Sequence, residues 1–175
     1  MNAILLRLDE LAFGVVPTLT RFVFAAVLLV YFLNSGWGKI GSGLLEPDIG
    51  AFYQIFPKMT AGYGGDLSQF GPFPRLVILA GTVAEIVLPI LIVVGLLTRL
   101  AALGMIGFVI VQSATDIWGH DADATTIGTW FDRASDSLVA DQRAFWLLAL
   151  ITLVMMGAGP LSFDRMFSRF SVRNA

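Results

Sequence analysis

Cysteine is absent from the 175 residues of the chain, and histidine occurs once, at His120. Without thiolates the chain on its own forms no disulfide, no thiolate metal site and no cysteine-ligated iron–sulfur cluster. A single histidine does not supply the two axial imidazoles of a bis-histidine haem. Any redox electrons that pass through this protein therefore need another carrier.

Charged residues are scarce as well. Asp, Glu, Lys and Arg make up 14% of the chain, compared with roughly 25% in soluble domains. The net charge is −2 and the sequence has no basic stripe, which argues against a nucleic-acid partner. The sequence also lacks a phosphate-binding glycine loop and a Ser-His-Asp arrangement, so we do not expect a standalone enzyme.

Long apolar runs are what the chain has instead, and hydrophobic residues make up 57% of it. Four runs lie at about residues 19–38, 75–97, 99–117 and 143–159. About 20 apolar residues cross a hydrocarbon core of roughly 30 Å, so each run predicts a transmembrane helix. The second and third runs are joined by almost no loop and therefore form an antiparallel hairpin. We predict an all-α integral membrane four-helix bundle, a single domain over residues 1–175 in a lipid membrane.

The segments between and before these runs also have a pattern. Residues 2–16 place apolar side chains at helical spacing opposite charged ones, which predicts an amphipathic N-terminal helix at the interface, and Pro17 suits the first turn of the next helix. The first long connection, residues 40–74, is rich in Gly, Pro and aromatic residues and predicts short interfacial helices or turns. The second, residues 119–142, carries five aspartates.

The distribution of charges predicts that both termini are cytoplasmic. Most acidic residues lie in the two long connections, which places these outside the cell membrane, while basic residues dominate at the other ends of the runs and in the tail. This arrangement satisfies the positive-inside rule. The arginines assigned to the inner side are Arg7, Arg21, Arg99, Arg165, Arg169 and Arg173.

Glu85 is the anomaly within the second run, because a charge at bilayer depth costs a few kcal/mol or more. Glu85 lies roughly 20 Å along its helix from the inner arginine, and polar residues in other runs lie at the same distance from theirs. These residues therefore share one depth. The sequence therefore predicts one polar layer across all four helices, with Tyr31 just below it and Lys39 above it as counter-charge. The members of the layer are Asn34 or Ser35, Glu85, Gln112 and Thr152.

Two interpretations of this layer stay open. In the first, it is a ligand or proton site, in which Glu85 accepts a proton or hydrogen bond, Lys39 balances the charge, and the amides and hydroxyls orient the ligand. In the second, the layer only fixes the register of the helices. His120, Asp121 and Asp123 are weaker candidates for a metal site, because ligands clustered in an acidic loop are more typical of a solvated face. We therefore predict no metal site.

Three blocks of the sequence resemble those of the DoxX family. The block RFVFAAVLLVYFLNSGWGKI is similar to the first-helix signature, in which an arginine begins a helix that ends in a small residue, Gly and Lys. The block AEIVLPILIVVGLLTRLAAL resembles the second-helix signature, with its intramembrane Glu and its turn into the third helix. The ending GAGPLSFDRMF resembles a glycine-rich stop followed by Ser-x-Asp.

The resemblance implies a four-helix protein of the bacterial inner membrane. Members of the wider family are associated with oxidoreductase systems, including the quinone-reducing thiosulfate oxidoreductase of archaea and a mycobacterial membrane complex that links radical detoxification to thiol homeostasis. By this resemblance the chain is an accessory subunit of an oxidoreductase, with a quinone as candidate cofactor and a periplasmic or membrane redox protein as partner.

Two alternatives of other classes stay open. The chain could be a scaffold that docks a periplasmic partner through residues 119–142, because this segment is long, acidic and carries a tryptophan. Small-solute transport has less support, since four spans form a narrow bundle unless the chain assembles into a homo-oligomer.

Overall fold

The computed structural model describes residues 2–43 and 46–173, with side chains for residues 4–43 and 46–168. Within this part of the chain, four helices are long and apolar enough to cross a membrane. We call them the first to fourth spans: Ile4–Gly38, Pro72–Val94, Thr98–Gly119 and Leu138–Met156. The predicted all-α membrane bundle is thus confirmed. The side chains of Arg169 and Arg173, which the sequence assigns to the inner side, lie outside the described set.

The helices in chain order are α1 (Asn2–Phe24), α2 (Val30–Gly38), α3 (Ile49–Ile55), α4 (Pro57–Gly62), α5 (Pro72–Val94), α6 (Thr98–Ala114), α7 (Ala124–Ile127), α8 (Arg143–Met156) and α9 (Phe163–Arg173). Five-residue π-helical turns join or extend them at Ala25–Leu29, Thr115–Gly119 and Leu138–Gln142. After α2, strands β1 (Ile40–Gly43) and β2 (Glu46–Pro47) pair antiparallel, with Ile40 opposite Pro47. The turn Leu67–Gln69 is a 3-10 helix.

Residues 2–16 are helical as predicted, but the prediction that a new helix begins at Pro17 is wrong. Helix α1 passes through this proline without a break, and the first span is 35 residues long, or about 52 Å at 1.5 Å per residue. A proline removes one backbone donor but has a helical φ, so a helix continues through it where packing supports the chain. Pro17 is buried here, and a Cβ on Gly159 would lie 3.1 Å from its ring.

The four spans form a closed ring in which each packs most extensively against two others. The first span contacts the second and the fourth, and the third contacts the same two. Lipid is as apolar as the bundle interior, so close packing of small and aromatic side chains, rather than water exclusion, holds the spans together. The buried core residues are Phe24, Leu28, Phe32, Ile92, Ala101, Ala102, Met105, Val109, Leu150 and Leu153.

The two ends of the bundle differ. The second and third spans join through a tight turn at Gly95–Leu97, which confirms the predicted antiparallel hairpin, and we call this the hairpin end. The long connections lie at the opposite end, the loop end. There the first connection folds into α3 and α4, as its aromatic content predicts, with the rings of Phe52 and Phe70 4.6 Å apart over buried Ile78.

Buried Arg21 joins three segments at the hairpin end. Its guanidinium donates to the carbonyls of Ile92 (2.9 Å) and Val93 (2.5 Å), at the C-terminal end of α5. It also donates to Ala158 (2.8 Å) and Leu161 (2.6 Å), in the turn after α8. The last carbonyls of a helix lack partners within the helix and carry partial negative charge, so a cation placed there satisfies both needs.

Asp164 completes this end of the bundle. Its carboxylate accepts from the backbone N–H groups of Leu97 (2.7 Å) and Thr98 (3.0 Å), which begin α6. Gly95 has a φ of +73°, and a Cβ there would lie 2.8 Å from the guanidinium carbon of Arg21. Only glycine therefore fits both the backbone conformation and the space. The tail after Asp164, for which the sequence predicted no element, continues as α9.

We predict that Arg21→Leu destabilises the protein by about 3 kcal/mol or more, because hydrogen bonds to a charged group contribute roughly 1.5 to 3 kcal/mol each and four carbonyls lose their donor. Unfolding in detergent, followed by circular dichroism, measures the change. Arg99→Leu is the matched control: Arg99 is an exposed arginine at the same end, with one 3.3 Å bond to Met155. Equal stability of the two variants would contradict the role of Arg21.

Candidate intramembrane site

A buried ion pair connects the first and second spans. Lys39 Nζ lies 2.5 Å from Glu85 Oε2, and the two side chains are only 4% and 3% exposed. Ser35 lies between them: its Oγ accepts from Lys39 Nζ at 2.7 Å and donates to Glu85 Oε1 at 3.1 Å. The lysine also donates to the Ser35 carbonyl at 3.3 Å, so all three of its protons have acceptors.

The local sequence explains why these three groups meet. Ser35 and Lys39 are four residues apart and share one face of α2. Gly36 lets α5 approach this face, because a Cβ there would lie 2.6 Å from the side chain of Ile86 and 3.3 Å from Cβ of Glu85. Lys39 is also the residue at which α2 ends. Its carbonyl accepts from the N–H of Asp48 at 3.0 Å, so the first connection begins at the ion pair.

Tyr31 and Gln112 form a second polar contact, between the first and third spans. Gln112 Nε2 donates to the Tyr31 hydroxyl at 3.0 Å. The Tyr31 ring lies 5.5 Å from the ring of Trp146, which ties this contact to the fourth span. Gln112 Oε1 is buried and has no hydrogen-bond partner among the described residues. This amide oxygen is therefore an open acceptor.

Asn34 and Thr152 join neither cluster. Asn34 is exposed, and the Thr152 hydroxyl bonds the carbonyl of Leu148, in its own helix, at 2.8 Å. Counting residues gives the depth of a side chain but not its direction, and one residue along a helix turns it by about 100°. A threonine within a helix also satisfies its hydroxyl on the preceding turn. The polar groups at this depth thus form two clusters rather than one continuous layer.

A second ion pair, between buried Arg143 and half-buried Asp116, lies nearer the loop end and was not predicted from the sequence. Arg143 is 2% exposed, and its Nη2 lies 2.5 Å from Asp116 Oδ2. Its Nη1 donates to Ser113 Oγ at 3.0 Å, and its guanidinium lies 6.0 Å from the ring of Trp146. The signal was present, since Ser113 and Asp116 are three residues apart at the end of the third run and Arg143 begins the fourth.

A cavity of about 300 Å³ lies between the second and third spans, beside the first ion pair. Its edge is polar and includes Lys39, Glu85, Gln112 and Asp116. Its walls are apolar or small, and a Cβ on Gly107, one of the lining residues, would meet no atom within 4 Å. The remaining apolar and small lining residues are Ile55, Val77, Ala80, Gly81, Ala84, Gly104, Phe108 and Val111. Such a space suits a small apolar molecule with a polar group at one edge.

The three weaker metal candidates have separate partners. His120 Nε2 lies 2.9 Å from the Gln54 carbonyl, and Asp121 pairs with Lys58 at 2.8 Å. Asp123 caps α7 and accepts hydrogen bonds from Thr125 and Thr126, which lower the pKa of its carboxyl group. Across residues 2–43 and 46–173, no group of three or more His, Cys, Asp or Glu side chains is placed to hold a metal ion.

Comparison with known families identifies the family of the chain. The DoxX family model matches residues 18–118, more than half of the chain. This range includes Arg21 and both members of the Lys39–Glu85 pair, and it ends within the last turn of the third span. No curated protein and no solved structure matches the chain.

We predict that Lys39→Met alone destabilises the protein by about 3 kcal/mol, since removing one partner leaves a buried charge uncompensated. Lys39→Met combined with Glu85→Leu should recover most of this loss, because two apolar residues of similar volume need no partner. A double-mutant cycle of unfolding free energies in detergent measures the coupling. Losses that simply add in the double variant would show that the two charges do not depend on each other.

Proposed function

The chain belongs to the DoxX family, and from this premise we propose that it is a membrane subunit of a redox system. In this proposal the cavity beside Lys39 and Glu85 binds the head group of an apolar, quinone-like ligand or passes protons to and from it. The single observation that supports the proposal most is the position of a fully paired, buried charge cluster at the edge of an apolar cavity.

The chemistry of the cavity edge suits a quinone head group. Gln112 Nε2 donates one N–H to Tyr31 and has a second N–H for a ligand carbonyl oxygen, and Gln112 Oε1 is an acceptor without a partner among the described residues. The volume of about 300 Å³ lies at the small end of ligand sites, which span roughly 300 to 1,000 Å³. It would therefore hold a head group, while an apolar tail would extend between the spans into lipid.

The same groups suit proton transfer. Reducing a quinone to a quinol takes up two electrons and two protons; in this proposal the electrons come from a partner redox protein and Glu85 exchanges protons with the ligand. Asp116 lines the same cavity and lies one helical turn after Gln112, toward the loop end. A proton would therefore pass between two acidic groups, Glu85 deep in the cavity and Asp116 near the surface.

We predict that Gly107→Leu weakens the binding of a water-soluble, short-chain benzoquinone to the purified protein at least tenfold or abolishes it. The reason is that the new side chain occupies the cavity. The unfolding temperature of the Gly107→Leu variant should not fall, since a Cβ at this helical position has free space. Equilibrium dialysis in detergent measures the affinity. Glu85→Gln should also weaken binding by removing the charge.

Gly62→Leu is the matched control, because Gly62 is exposed at the end of α4 and a Cβ there also meets no atom within 4 Å. It should bind the benzoquinone as the unmodified protein does. Unchanged binding by Gly107→Leu, or no binding by the unmodified protein, would refute the ligand site.

Docking of a periplasmic partner is a second candidate, supported by one specific observation. Phe131, in the second connection, is fully exposed and has a φ of +67°. A bulky residue in this conformation is strained, and such strain is typical of functional surfaces. Trp130 beside it is 64% exposed, and its Nε1 donates to the Ala140 carbonyl at 2.8 Å. With both termini cytoplasmic, as we propose from the charges, this pair faces the periplasm of the inner membrane.

We predict for this candidate that Trp130→Ser combined with Phe131→Ser abolishes the crosslinking of a partner protein to the chain in affinity-purified membranes, whereas Gly107→Leu, which fills the cavity, retains it. Quantitative mass spectrometry of the two preparations measures the difference. The opposite pattern, with the partner lost only in Gly107→Leu, would refute docking through the second connection and favour the intramembrane site.

A further inference from the structure

Two adjoining cavities lie at the hairpin end, remote from the Lys39–Glu85 ion pair. Together they suit an amphiphile, because one is partly polar and the other is apolar. The first, of about 440 Å³, is partly polar: Ser162, Arg165 and Ser168 line it beside the turn after α8. The second, of about 610 Å³, is an open groove with almost entirely apolar walls that runs along α1. Gly14 and Pro160 line both, so the polar cavity and the apolar groove meet there.

We propose that this composite site binds one phosphatidylethanolamine molecule. The phosphate lies in the polar cavity against Arg165, and an acyl chain lies in the groove. The apolar residues that line the groove are Leu11, Val15, Leu19, Phe22 and Leu161.

The charges at the site favour a zwitterionic head group. The Arg165 side chain forms no ion pair with any residue whose side chain is described. Asp164, the carboxylate in the same cavity, is already held by the N–H groups of Leu97 and Thr98. The cation is therefore available for a phosphate. Glu10 lines the groove near Gly14. Its carboxylate attracts the ammonium group of ethanolamine and repels a head group that carries a second anionic group.

Helix α9 keeps Arg165 at the level of lipid head groups. Phe163, Met166 and Phe167 are exposed at a spacing of three and four residues, so α9 has an apolar face. A helix of this kind lies in the membrane surface with its apolar side toward the acyl chains. The beginning of α9 is fixed to the bundle, because the N–H of Asp164 donates to the Gly95 carbonyl at 2.8 Å.

The test is native mass spectrometry of delipidated protein titrated with phosphatidylethanolamine, phosphatidylglycerol or diacylglycerol of identical acyl chains. We expect one phosphatidylethanolamine to bind at least fivefold more tightly than phosphatidylglycerol and tenfold more tightly than diacylglycerol. Arg165→Gln should make phosphatidylethanolamine bind no more tightly than diacylglycerol. Glu10→Gln should remove the preference between the two phospholipids. Arg99→Gln, an exposed arginine at the same end that lines neither cavity, should change nothing.

Gly14→Leu provides a second test, because its side chain would enter the junction of the two cavities, where a Cβ lies 3.6 Å from Pro160. It should weaken phosphatidylethanolamine at least fivefold and leave benzoquinone binding unchanged. Equal affinity for the three lipids, tighter binding of phosphatidylglycerol, or an Arg165→Gln variant that behaves as the unmodified protein would overturn the proposal.

Discussion

A lysine and a carboxylate reside inside a bilayer only when each satisfies the other, and this constraint on Lys39 and Glu85 organises the bundle around it. The pair requires α2 and α5 to approach closely, which Gly36 permits. Between the second and third spans, in contrast, the small residues Gly81, Ala84 and Gly107 leave space unfilled at the same level, and the cavity lies there. The close contact and the open space are thus two results of one arrangement of small residues.

Buried cations recur through the bundle, and each is stabilised by different partners. At the hairpin end, Arg21 has four backbone carbonyls around it. In the middle, Lys39 has a carboxylate and a serine. Nearer the loop end, Arg143 has a carboxylate, a hydroxyl and an aromatic ring. Since apolar contacts between spans gain little over contacts with lipid, these polar links fix which helices are neighbours.

The sequence predicted the four spans and the hairpin between the second and third of them. It did not predict what depends on direction or tertiary packing. Asn34 and Ser35 were indistinguishable by depth, and Gly36 decides that Ser35 faces α5. Helix α1 continues through Pro17 because of packing at Gly159, and Arg21 was assigned only as the boundary of a span. The binding roles of these residues stay predictions.

The position of Lys39 links the interior of the membrane to its surface. This one residue neutralises Glu85, ends α2 and, through its carbonyl, holds Asp48, whose side chain in turn caps α3. Helix α3 contributes Gln54 and Ile55 to the lining of the cavity. One backbone hydrogen bond therefore joins the residue that neutralises Glu85 to the segment that begins α3 and lines the cavity. The same residue therefore contributes both to the charge balance inside the bundle and to the position of α3 at the loop end.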